Sequence, residues 1–168
     1  MLAKIYFEGK YLKQDLNQAN EYGYVIGSLP PTQEYNIGRN LLGEPYLLYG
    51  KIIEARKDKG IKTDRYSFVA FDHAIEMGNL NGYYEKGLVY LKEKNIQFAA
   101  DTFGIGCYQG HAESCYKAGL LYEEGKVYKK GDKNEWGEIQ EDPLIVAKRY
   151  FEKCAKLGNL KCKEKLNF

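Results

Sequence analysis

Three stretches of this chain say nearly the same thing: AIEMGNLNG from Ala74 to Gly82, CYQGHAESC from Cys107 to Cys115, and CAKLGNLKC from Cys154 to Cys162. Each has a small residue or cysteine at both ends and a glycine inside. A chain that repeats itself on this scale must build one supersecondary unit several times over. A single unit of that size cannot bury its apolar face alone, so the copies have to stack.

The flanks match as well. Upstream lie ADTFGIGC (Ala100 to Cys107), AKRYFEKC (Ala147 to Cys154), ANEYGYVI (Ala19 to Ile26) and, more loosely, SFVAFDHA (Ser67 to Ala74). Their small and aromatic positions advance by about three, four and seven residues, the spacing of one helical face; we term these the B helices. Downstream runs Gly-x-x-Tyr, at Gly87 and Tyr90 and again at Gly119 and Tyr122, with Gly50 and Ile53 in the same places and Ala3 and Tyr6 near the start. These are the A helices. The reading is therefore all-α: a solenoid of about four helix pairs forming a single domain over residues 1–168, closed by a lone A-type helix from Lys161 to Leu166. Three long segments are expected as loops: SLPPTQEYNIGRNLLGEP, where Pro30 and Pro31 stop a helix, RKDKGIKTD, and KVYKKGDKNEWGEIQED around Trp136.

Composition suits this reading. The 18 glycines mark turns or close helix approaches, and there are only 4 prolines to interrupt helices. The 25 basic and 23 acidic residues leave a net charge of +2, which gives no electrostatic case for a nucleic-acid or membrane-surface partner across the whole chain; any binding patch must be local. No apolar run approaches a membrane span, and MLAKIYFEGK lacks the apolar stretch of a signal peptide.

Gly-x-x-Tyr-x-x-Gly, then Ala-x-x-Tyr/Phe, then a small-residue turn resembles the Sel-like (Sel-one-like) repeat, a helical-pair relative of the tetratricopeptide repeat. The paired cysteines are similar to the bridged helix pairs of the Helicobacter cysteine-rich protein family. The likeness is strongest from Ala74 to Leu166. It implies an α-solenoid, often exported, that recognises other proteins on a curved surface, and in some cysteine-rich members a link to penicillin binding.

On that basis the four cysteines are expected as two local disulfides, Cys107 with Cys115 and Cys154 with Cys162. Both pairs fall on one repeat position, and Ala74 replaces the first cysteine where no partner exists. Four buried free thiols in a cytosolic repeat protein are the alternative. Disulfides would mean an oxidising compartment and a mature chain, secreted or periplasmic, that has lost its leader. A zinc site is not expected, because Cys-x-x-Cys spacing is missing and only His73 and His111 could complete a mixed set. No cofactor is expected either.

An enzyme reading rests on Ser114-Cys-Tyr-Lys117, which matches the Ser-x-x-Lys of penicillin-recognising enzymes. KTD at Lys62 to Asp64 does not supply the Lys-Thr-Gly such enzymes need. The carboxylate pairs Glu123 with Glu124 and Glu141 with Asp142 read better as a loop edge or helix start than as an acid and base. The sequence thus points to a non-catalytic scaffold, monomeric when unbound, that holds another protein as adaptor, effector or immunity-type inhibitor. Registering the A helices on their glycines nominates Tyr49, Tyr84, Lys86, Tyr116 and Lys117 as the contact stripe. The competing expectations are that these rings pack between repeats, or that the partner sits on the loop around Trp136.

Overall fold

The computed structural model describes residues 2–9, 13–27, 39–63 and 66–166. Over these residues the chain is all-α, with one isolated antiparallel bridge, Lys133 to Ile139. The A helices are α1 (Leu2–Glu8), α3 (Arg39–Asp58), α5 (Asn81–Lys92) and α7 (Ala112–Glu123), and the B helices are α2 (Leu16–Gly27), α4 (Ser67–Glu76), α6 (Ile96–Tyr108) and α8 (Pro143–Lys156); α9 (Leu160–Leu166) follows. Contacts divide the chain into two compact units, Met1–Glu85 and Lys86–Phe168, with the division falling inside α5. In the first, α1 packs on α2, α2 on α3 and α3 on α4; in the second, α6 packs on α7, α7 on α8 and α8 on α9.

One device joins A to B in three of the pairs, α3 with α4, α5 with α6 and α7 with α8. A Cβ placed on Gly50, Gly87 or Gly119 would stand 2.4, 2.4 or 2.6 Å from the ring of Phe71, Phe103 or Phe151 respectively. In these three pairs the glycine of the A helix leaves a slot, and the phenylalanine of the following B helix fills it. All three rings are buried. A second device turns B into the next A. Gly78, Gly110 and Gly158 close the B helices at φ of +84°, +102° and +91°, a region that glycine enters without strain. The next residue then offers a side-chain acceptor to the opening turn: Asn79 Oδ1 to Asn81 N at 3.2 Å, His111 Nδ1 to Ser114 N at 3.2 Å, and Asn159 Oδ1 to Lys161 N at 3.1 Å. The GNL wording of the sequence is this turn.

Each unit has its own core. In the first, Ala3, Ala19 and Ile52 meet beneath Phe7 and Leu48, and Tyr49 packs with Ile53 and Ala70. In the second, Ala147 and Phe151 cluster with all four cysteines, which are fully buried.

The loop expectations need correction around α3. Residues 39–45 and 56–58 were expected in loops but belong to this helix, which carries Pro45 inside it. Pro45 lacks a donor for the preceding turn, yet tertiary contacts hold that turn in place. A Cβ on Gly43 would lie 2.5 Å from that of Asn79, and Glu44 accepts from Asn79 Nδ2 at 3.0 Å. At the other end Arg56 donates to Leu16 O and Asn17 Oδ1, tying the end of α3 to the start of α2. The expected stop at Pro30 and Pro31 lies outside the described residues.

Candidate interaction surface

The two staples lie at equivalent places. Cys107 near the end of α6 is bonded to Cys115 in the first turn of α7, and Cys154 near the end of α8 to Cys162 in α9. Each bond closes the same short B-to-A turn, and no free cysteine is left. This is the pairing expected from sequence.

The nominated A-helix stripe fares less evenly. Tyr49 is only 4% exposed, so it is a core side chain and not an outward anchor. It sits directly before Gly50 and packs with Ile53 and Ala70. Tyr84, Lys86, Tyr116 and Lys117 are half-buried. The Tyr116 ring lies 6.1 Å from that of Phe151 with the Lys161 ammonium 5.9 Å away, the arrangement of a ring packed between helices. Tyr84 and Lys86 fall on opposite sides of the division between the units.

Exposed apolar surface is found elsewhere. Trp136 and Ile139 are 76% and 72% exposed at the tip of the segment joining α7 to α8. That tip has a defined backbone. Asn134 N donates to Glu138 O and Gln140 N to Asp132 O, both at 2.9 Å, on either side of the Lys133 to Ile139 bridge. Asn134 Oδ1 accepts from the amides of Trp136 and Glu138, folding the turn around itself, and Gly137 completes it at φ +81°. At the base Lys130 meets Asp142 at 2.8 Å and Glu141 pairs with Arg149, while the Tyr128 ring lies against Tyr122. Asp142 also caps α8 by accepting from Leu144 N, with Pro143 in the first turn. The hydrogen bond from Lys130, together with that from Leu144 N, holds the Asp142 carboxyl below its usual range. The sequence named this loop only as a fallback; its signal was the lone tryptophan among turn-forming residues.

The candidate carboxylates and Ser114 are held in structural contacts. Glu123 pairs with Lys165 and Glu124 with Lys126, each at 2.6 Å, and Glu141 and Asp142 are held as above. Ser114 is fully buried. Its amide donates to His111 Nδ1, which fixes that nitrogen as an acceptor, so the Ser114 hydroxyl donates to it too, at 2.8 Å. Burial pushes the His111 pKa down, against a smaller opposing pull from Glu113. His73 meets the Tyr46 ring edge-on at 5.3 Å. Among the described residues no group of three or more histidine, cysteine or acidic side chains could hold a metal ion, and no helix is long and apolar enough to cross a membrane. In the first unit a groove of about 380 Å³ is lined by Ala3, Phe7, Gly23, Pro45, Leu47 and Leu48 among charged neighbours.

These features define an all-α protein of sequentially packed helix pairs with two disulfides at one repeat position. No protein-family model matches the chain, and no curated protein matches it either.

Proposed function

We propose that this chain is an exported, non-catalytic scaffold of the Sel-like type that binds another protein, with the hairpin from Lys133 to Ile139 as its principal contact. The observation that carries the reading is Trp136, a large ring held out in solvent on a turn with a fixed backbone. Tryptophan is enriched at interface hot spots, and a turn already ordered by Asn134 loses little entropy on binding. Two buried disulfides support an oxidising, extracytoplasmic compartment. The buried, hydrogen-bonded Ser114 supports a capping role over that of a nucleophile, which weakens the penicillin-recognising alternative.

The test is capture from the native extracellular or periplasmic fraction, with wild-type protein and Trp136→Ala as paired baits. Loss of a hot spot of about 2 kcal/mol would weaken capture about thirtyfold. A partner held equally by both baits would move the contact away from the hairpin.

A further inference from the structure

The cations of this nearly neutral chain are not spread evenly. Between Lys153 and Lys163 the sequence KCAKLGNLKCK holds four lysines and no carboxylate. This is the α8–α9 turn, and it also carries two exposed leucines, Leu157 at 42% and Leu160 at 70%. The two equivalent turns differ. EMGNLN around Gly78 and YQGHAE around Gly110 have no lysine, and each carries a glutamate. Lys156, Lys161 and Lys163 are exposed and have no ion-pair partner among the described residues; Lys153 lies over the Tyr108 ring at 4.5 Å. The Cys154–Cys162 bond and the Asn159 cap hold the turn's backbone.

We propose that this turn is a docking tip for an anionic lipid bilayer, touching the headgroup layer without spanning the membrane. The chemistry favours lipid over an acidic protein. All four cations are lysines, which protein interfaces avoid, and none is the arginine they prefer for its directional fork. A headgroup layer of diffuse negative charge suits compact ammonium groups, each contributing about fivefold to partitioning, while paired apolar side chains add a shallow hydrophobic contact.

The experiment is sedimentation of the intact, oxidised protein with vesicles of phosphatidylcholine alone or mixed with phosphatidylglycerol. Binding is expected only to the anionic vesicles, weakening as salt rises. Lys156→Gln with Lys161→Gln should lower the partition coefficient about 25-fold. Leu157→Gln with Leu160→Gln should lower it about tenfold, and Lys156→Arg with Lys161→Arg should leave it nearly unchanged. Equal partition onto both vesicle types, measured on wild-type protein alone, overturns the proposal. So does full binding by the glutamine variants, or capture by soluble polyglutamate with no vesicle binding, which would assign the tip to an acidic protein instead.

Discussion

The Phe151 ring of α8 lies so close to Gly119 of α7 that a Cβ added there would stand 2.6 Å from its Cε1. Elsewhere in a helix, replacing glycine by alanine stabilises by about 1 kcal/mol. At this slot the added methyl must displace a buried ring, and overpacking costs about 1–3 kcal/mol. With the helix-propensity gain set against that cost, Gly119→Ala and Gly87→Ala are expected to destabilise by up to about 2 kcal/mol in urea denaturation. Phe151→Leu should recover part of the Gly119→Ala loss in a double-mutant cycle. A stabilising Gly119→Ala would mean that the ring has room to move.

His111 takes the capping place that asparagine holds at Asn79 and Asn159. Its acceptor nitrogen must stay unprotonated, and its pKa is lowered by burial, so the unfolded chain takes up the proton first. Stability contributed by this group is complete above the ordinary histidine value near 6.5 and is lost as pH falls through the lower folded value. A melting temperature measured from pH 8 downward should show this fall. His111→Asn should keep the cap and remove that component of the fall. An identical pH profile in the variant would show that His111 is not its source.

Tyr49 and Trp136 should separate cleanly. Tyr49→Ala empties a core position and is expected to cost about 3 kcal/mol or more, whereas Trp136→Ala, at an exposed tip, should stay within about 0.5 kcal/mol. Tyr116→Ala should fall between, because its ring is half-buried against Phe151. Equal stability of Tyr49→Ala and wild type would contradict the core placement.

How much of this was legible follows from which contacts are periodic. Gly50, Gly87 and Gly119 recur because each receives a phenylalanine, and Gly78, Gly110 and Gly158 recur because each turn needs a left-handed residue. Repetition therefore exposed the helix pairs and the staples. The beginning of α3 was not legible, since Pro45 is a local stop signal and the contacts of Gly43 and Glu44 with Asn79 that outweigh it are tertiary. The facing of Tyr49 was missed for a related reason. Tyr49 stands one residue before its glycine where Tyr84 and Tyr116 stand three before theirs, and an offset of two residues turns a side chain by about 200° around the helix. The hairpin lies outside the repeat, so periodicity carried no information about how far Trp136 stands out.

Each staple closes a loop of about nine residues, for which chain entropy gives about 2.5 kcal/mol of stabilisation. Cys154→Ser with Cys162→Ser is expected to lose about that amount, lowering the melting temperature by roughly 5–10 °C for a chain of this size. An unchanged melting temperature would show that the turn is held by its Gly158 and Asn159 geometry alone.

The central proposal is that this chain is exported, with two of its B-to-A turns stapled at one repeat position. Non-reducing peptide mapping of protein isolated from its native compartment tests it most directly. The account predicts peptides joined from Cys107 to Cys115 and from Cys154 to Cys162, with no thiol open to alkylation. Four alkylatable thiols would remove the oxidising compartment, and a Cys115 to Cys154 link would break the repeat register itself.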